Sequence, residues 1–176
     1  MSKVGQLEIA AQKRVLSLLE GLGYEYLGNW HDRPENDNVE VDLLQAWLET
    51  QGHDGKTIEK ALRELLSAKA LSAGRTLYSA NRDVYSLQRY GVKVSRGAGV
   101  KKETVWLIDW EHPENNHFAV AEEVTAQGHF TKRPDVVLYV NGIAVGVLEL
   151  KRSIVSVSEG IRQNLDNQKK DFIRPF

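Results

Sequence analysis

Arg133-Pro134-Asp135-Val136-Val137-Leu138-Tyr139-Val140-Asn141-Gly142-Ile143-Ala144-Val145-Gly146-Val147-Leu148-Glu149-Leu150-Lys151 is the stretch whose reading decides the fold of this chain. Two β-rich runs, Val136 to Val140 and Ile143 to Leu150, flank Asn141-Gly142. That dipeptide marks a hairpin because both residues tolerate positive φ. Glu149 and Lys151 are two apart, so on a strand both side chains leave one face while Leu148 and Leu150 turn the other way into apolar packing. Charges that close a nearly unbroken apolar run need partners.

The residue types point to a chemistry. A hard divalent cation prefers carboxylate oxygens, and Asp135 and Glu149 brought together across a hairpin supply two. Such an ion activates a water and offsets charge developing on a phosphate, with the Lys151 ammonium close enough to orient the attacking water. The combination is that of phosphodiester hydrolysis. The plainer alternative makes Asp135 a turn residue after Pro134, and Glu149 and Lys151 the polar face of a half-buried strand. Register separates the two. A strict two-residue turn pairs Val140 with Ile143 and sets Asp135 opposite Leu148, on the wrong face from Glu149. A three-residue connection or a β-bulge shifts the pairing so that Asp135 meets Glu149, and the hairpin is therefore not expected to be a strict two-residue turn.

Upstream of the hairpin, Leu7, Ala10, Ala11, Val15, Leu18, Leu19 and Leu22 recur at three and four and stop at Gly21 and Gly23, which predicts an amphipathic helix. Tyr24 to Trp30 reads as a short strand or extended exit, and His31 to Asn38 as a polar loop. Helical patterns follow at Val41–Leu48, Thr57–Ala70 and about Ala80–Tyr90, the last closed by Gly91. Thr57 is a candidate cap. Lys93 to Lys102 reads as a flexible loop whose basic residues brush nucleic acid or simply face solvent. From Glu103 the texture turns to β at Thr104–Asp109 and Phe118–Val124, ahead of the hairpin, and Ser156 to Phe172 turns helical again. The predicted fold is α/β, a mixed β-sheet flanked by helices, with a helical insertion at about 38–90 and a core at about 103–172.

Composition removes several function classes. Hydrophobic residues make up 41% and charged residues 27% of 176, the profile of an ordinary globular chain. No apolar run approaches the roughly 18 residues that cross a bilayer, and the polar start lacks the order of a signal peptide. A cytoplasmic address is the expectation. Cysteine is absent, so thiolate metal sites and Cys nucleophiles are excluded. Gly97-Ala98-Gly99-Val100-Lys101-Lys102 lacks the Gly-Lys-Ser/Thr ending of a phosphate-cradling loop, so ATP hydrolysis is not expected of this chain. His112 and His117, separated by Pro113 and turn residues, read as a loop rather than a zinc site, and no Gly-x-Ser-x-Gly elbow is present. The net charge of −1 is unevenly spread: residues 131–176 hold 8 basic and 5 acidic side chains, a net of +3. Lys132, Arg133, Arg152, Lys169 and Lys170 are the candidate phosphate contacts there.

Pro134-Asp135 with Glu149-Leu150-Lys151 resembles the PD-(D/E)xK nuclease superfamily. The fuller string from Arg133 to Gly142, with Val147 to Lys151, resembles the N-terminal nuclease domain of the restriction (R) subunit of type I restriction-modification enzymes. The close match covers about 131–172. The resemblance implies a restriction-endonuclease-like core and a Mg²⁺-dependent endonuclease acting on double-stranded DNA, a type I site-specific deoxyribonuclease. It implies Asp135 and Glu149 as metal ligands and Lys151 as the catalytic lysine. The family also carries a Gln-x-x-x-Tyr motif on the helix after the lysine. Here Gln168 has that spacing to Phe172, which replaces the Tyr, and Gln163 offers a competing register. Some nucleases of the superfamily add an acidic residue from the first helix, for which Glu8 and Glu20 are the candidates.

By the same resemblance, the full subunit carries ATP-driven translocating motor domains and assembles with modification and specificity subunits. The last residues, Ile173-Arg174-Pro175-Phe176, read as a truncation of such a protein. Two other readings share the scaffold: a non-catalytic DNA- or protein-binding module, and a standalone repair or junction nuclease. Retention of Asp, Glu and Lys together argues against the first, and the long helical middle against the second.

Overall fold

The computed structural model describes residues 3–71, 74–97, 99, 101–127, 131–150, 158, 161–162 and 165–166. In chain order the elements are α1 (Lys3–Gly21), β1 (Glu25–Asn29), α2 (Val41–Thr50), α3 (Gly55–Lys69), α4 (Leu77–Tyr90), β2 (Val92–Val94), β3 (Glu103–Val105), a 3₁₀ turn (Pro113–Asn115), β4 (Phe118–Glu122), β5 (Ala126–Gln127), β6 (Thr131–Lys132), β7 (Val136–Val140) and β8 (Ile143–Leu148). Ser158, Ile161, Arg162, Leu165 and Asp166 are also helical. The chain divides into two compact units, one of Met1–Glu40 with Phe118–Phe176, the other of Val41–His117.

The first unit is built on a four-stranded sheet of order β1-β4-β7-β8. β1 runs parallel to β4, and the other two pairings are antiparallel, so the sheet is mixed. Alternation sorts its side chains into two apolar layers. On one face Ala119, Ala121, Val137 and Tyr139 pack with Trp30 and Val124, joined by Leu27, Ala144 and Val147. On the other, Val120 and Val136 pack with Leu16 of α1, joined by Leu19, Tyr24, Leu138, Leu148 and Leu150. α1 forms as its spacing predicts, but on a different face: Leu16, outside the predicted stripe, lies on the sheet with Leu19, while Ala10, Ala11, Leu18 and Leu22 of that stripe stay exposed. The outer edge of β8 is covered near the turn, where the Glu40 N–H donates to the Gly142 carbonyl at 2.7 Å and the Ala144 N–H to that of Asn38 at 2.8 Å.

The second unit holds α2, α3 and α4 with the β2–β3 hairpin. The sequence reading ends its helical insertion near residue 90, whereas this unit runs on to His117. Asp54, not Thr57, caps α3: its Oδ1 accepts from the N–H groups of Lys56 and Thr57 at 3.1 Å. The carboxylate outcompetes the hydroxyl because it serves two orphan donors with charge, and the hydrogen bond from the Thr57 hydroxyl, followed by those from the backbone, holds its pKa below the usual value. The Thr57 hydroxyl instead donates to Asp54. β2 occupies the first residues of the predicted loop at Lys93, and β3 stops at Val105, short of the predicted strand end at Asp109. Among the described residues no helix is long and apolar enough to cross a membrane. The mixed α/β sheet agrees with the restriction-endonuclease-like fold expected from the sequence.

Candidate active site

Asn141 and Gly142 adopt φ of 51° and 79°, the paired positive values of a two-residue hairpin turn, and Val140 pairs with Ile143. The turn is therefore strict, and the register is corrected further along. Tyr139 faces Ala144, but Leu138 faces Gly146, which leaves Val145 as the extra residue of a β-bulge with half of its surface exposed. Beyond the bulge Val136 faces Leu148. One further step along the same register sets Asp135 opposite Glu149.

The bulge also inverts the alternation of faces. Ala144 and Val147, three apart, lie on the Trp30 face, while Leu148 and Leu150 lie on the α1 face. Glu149, between those two leucines, turns from α1 to the side that Asp135 shares with Val137. β8 ends at Leu148, so Glu149 and Leu150 continue the alternation without ladder pairing. Asp135 closes the gap itself: its Oδ2 accepts the Leu150 N–H at 2.6 Å. A backbone donor that would be orphaned at the strand end is satisfied, and the carboxylate is fixed beside Glu149. Both residues are half-buried, and buried Pro134 precedes Asp135.

The same end of the sheet carries two carboxylates that sequence reading passed over, Glu122 and Glu123 at the end of β4. Their signal resembles that of Glu149, acidic residues closing an apolar strand. Gln12 of α1 donates to Glu122 at 2.8 Å and to Glu123 at 3.2 Å. The Tyr26 hydroxyl donates to Glu122 at 2.6 Å. Partial burial, then this hydrogen bond and the Glu122 charge, push the Tyr26 pKa up to about 12. Glu123 sits at φ 52°, donates its N–H to the Asp135 carbonyl at 2.9 Å, and pairs its carboxylate with Arg133 Nε at 2.7 Å. Glu123 thus anchors the main chain of Asp135 from the opposite side to Leu150.

Arg133, a candidate phosphate contact, is exposed but engaged by Glu123 and by His31 at 2.9 Å. Lys132 lies on β6, opposite Ala126 of β5. Glu20 is exposed late in α1 and acts on Tyr26 through its charge; Glu8 lies in the first half of that helix. Lys151, Arg152, Gln163, Gln168, Lys169, Lys170 and Phe172 lie outside the described residues. Among the described residues no three His, Asp or Glu side chains converge as a metal cluster. What the geometry assembles is a pair of hard oxygen donors, Asp135 and Glu149, a donor set that fits a divalent cation completed by other oxygen ligands.

A mixed four-stranded sheet with helices, whose hairpin brings Asp135 and Glu149 to one end, is consistent with the restriction-endonuclease-like class of α/β fold. The chain belongs to the family described as type I restriction enzyme R protein N terminus, whose model matches residues 6–175. Curated relatives agree. The type I restriction enzyme HindI endonuclease subunit of Haemophilus influenzae is 31% identical over 100 residues, covering 54% of this chain and 10% of the relative. Two proteins of Methanocaldococcus jannaschii are named as putative type I restriction enzyme endonuclease subunits. MjaIXP is 26% identical over 156 residues, 82% of this chain and 15% of the relative. MjaVIIIP is 24% identical over 160 residues, 86% of this chain and 15% of the relative. The chain therefore spans 10 to 15% of the length of these relatives.

Proposed function

We propose that this domain cleaves phosphodiester bonds of double-stranded DNA, using Mg²⁺ held by Asp135 and Glu149, as the endonuclease module of a type I restriction enzyme. The observation that carries the reading is the bulge at Val145, which moves Glu149 onto the face of Asp135 despite a strict two-residue turn. A bulge interrupts the ladder, and its use here is to re-aim one carboxylate.

In this reading Asp135 and Glu149 supply hard oxygen ligands, and the Leu150 N–H keeps the Asp135 carboxylate from rotating away. A divalent ion held there supplies Lewis acidity toward the scissile phosphate. Lys151, two residues after Glu149, orients the attacking water and offsets charge developing on the phosphate oxygens. Two protein carboxylates would leave the rest of such an ion's shell to other oxygen ligands, those of the substrate phosphate among them. We further propose that ATP-driven translocation and the modification and specificity subunits belong to the complete enzyme, which delivers DNA to this domain.

The test is substitution in the assembled enzyme. Asp135→Ala, Glu149→Ala and Lys151→Ala should each abolish DNA cleavage while ATP hydrolysis persists. Cleavage at the wild-type rate by the Glu149→Ala enzyme would overturn the assignment. Beyond the lysine, Gln168→Ala should impair cleavage if Gln168 serves the site; impairment by Gln163→Ala alone selects the other register.

A further inference from the structure

The second unit carries a groove of about 650 Å³ lined by Trp47, His53, Arg89, Tyr90, Trp106 and Trp110, among others. That size lies within the range of small-ligand sites. Its chemistry is unusual for a surface: Trp106 and Trp110 are 47% and 48% exposed, and Tyr90 is 64% exposed. Exposed aromatic surface of this extent is costly in water and marks a recognition site more often than a packing accident.

The rings are also held in place. Trp110 donates its indole N–H to the Gln88 carbonyl at 2.8 Å, and the Arg89 guanidinium lies 5.2 Å from its ring centroid. The loop that follows Trp110 is organised by Asp109, which accepts from the N–H groups of Glu111 and His112 and from the Asn115 amide. Trp47 forms a buried wall, its indole N–H donated to the Asn115 carbonyl at 3.1 Å. Gly91 seats the end of α4 directly on β3. It adopts φ 71°, and a Cβ there would lie 2.6 Å from the Thr104 side chain and 2.9 Å from the Val105 carbonyl. The indole N–H groups of Trp47 and Trp110 are thus satisfied within the protein, and what these rings offer a ligand is their faces.

Charge identifies the ligand. The groove lining itself holds Arg89 with Asp109 and Glu111, Asp109 being spent on the N–H groups of its own loop, and the adjoining hairpin adds Lys93, Arg96, Lys101 and Lys102 against Glu103. Arg96 is committed to Glu103 and Asp54, whereas Lys93, Lys101 and Lys102 are exposed on the hairpin whose second strand leads into Trp106. Lys93 pairs across the hairpin with Thr104, which lines the groove, and Lys102 precedes Thr104 and Trp106 at two-residue spacing on the same side of the strand; aromatic faces with such cations are the elements of single-stranded nucleic-acid binding, in which bases stack on the rings while the backbone follows the cations. A duplex keeps its bases stacked on each other and cannot use the rings.

We propose that this groove binds unpaired nucleotides of a DNA strand, a site separate from Asp135 and Glu149 and independent of whether those residues cleave. The test titrates the 176-residue chain with oligo(dT) of about twelve nucleotides, long enough for one binding site, against a duplex of equal length, by tryptophan emission and by anisotropy of a labelled strand. The single strand should quench emission and bind tighter than the duplex. Trp106→Ala and Trp110→Ala should each weaken it roughly tenfold, with Trp110→Phe recovering most of the loss and circular dichroism unchanged. Lys101→Glu combined with Lys102→Glu should weaken binding and flatten its salt dependence. The Asp135→Asn chain should bind as wild type, so this proposal and the cleavage reading fail separately. Equal affinity for duplex and single strand, or loss with the lysine variants but not the tryptophan variants, overturns the proposal in favour of a plain electrostatic surface. Absence of oligonucleotide binding by the folded chain also overturns it and leaves the groove to a protein segment.

Discussion

The main-chain N–H of Leu150 and Oδ2 of Asp135 lie 2.6 Å apart, a charge-assisted hydrogen bond between the last apolar residue of one hairpin arm and the first polar residue of the other. It ties the backbone between Glu149 and Lys151 to the carboxylate expected to act with them. Structure and chemistry therefore share one atom group, and substitutions can separate them.

Asp135→Asn keeps an oxygen acceptor for Leu150 and removes the charge. The isolated domain should melt within a few degrees of wild type, and cleavage by the assembled enzyme should vanish. Asp135→Ala removes both and should cost roughly 1–3 kcal/mol through the orphaned N–H. Urea unfolding of the two variants measures the difference; equal destabilisation of both would show that the bond adds nothing to stability.

Deleting Val145 removes the bulge while leaving the Asn141-Gly142 turn intact. Gly146 then follows Ala144 directly, and the pairings of Leu138 with Gly146, Val137 with Val147 and Val136 with Leu148 continue as a regular ladder, so Leu148 and Leu150 keep the face of Leu16, Val120 and Val136 while Glu149 stays with Asp135. Stability should change by no more than about 1 kcal/mol, and a loss above about 3 kcal/mol would show that the faces had exchanged. Val145→Thr, at an exposed position, should change stability by less than about 0.5 kcal/mol. Circular dichroism melts of both variants decide it.

The Tyr26 pKa, raised from 10.0 to about 12, carries a pH dependence with a definite sign. The folded state favours the protonated phenol that donates to Glu122, so its contribution is fully present below pH 10 and is lost as pH rises through 12. Tyr26→Phe should lack this alkaline loss. The measurement is unfolding free energy against pH for both proteins; parallel curves above pH 10 would remove Tyr26 from the account. Because the side chain is 39% exposed, solvent screening keeps the effect small.

The Tyr139 hydroxyl is buried with no hydrogen-bond partner among the described residues. Its ring packs against Trp30 with centroids 5.6 Å apart, and burial, followed by the charge of Glu40, raises its pKa. Tyr139→Phe keeps the ring contact and removes the uncompensated hydroxyl. Stability should stay level or rise by about 1 kcal/mol, read as an unchanged or higher melting temperature. A clear drop would reveal a bound water bridging that hydroxyl.

Sequence alone determined the local elements where one rule acts without competition. Seven apolar residues at three and four placed α1, Asn141-Gly142 placed the turn, and Gly91 ended α4, because periodicity and positive φ are properties of the chain itself. It also singled out Asp135 and Glu149 and offered a longer connection or a bulge to join them, expecting a turn that is not strictly two residues; the turn is strict, and the bulge alone shifts the register. Where that bulge falls was decided by tertiary packing: alternation of faces permits one extra residue anywhere along β8. Val145 takes it because Leu148 and Leu150 must reach Leu16 and Val136 on one side while Ala144 and Val147 reach Trp30 and Tyr139 on the other. Tertiary structure likewise chose Asp54 over Thr57 as a cap, brought Gln12 to Glu122 and Glu123 from 110 and 111 positions away, and gathered Trp47, Trp106 and Trp110 around one groove. Contacts between residues so far apart in the chain leave no periodic trace, since they depend on which faces are left to pack once the local elements have formed.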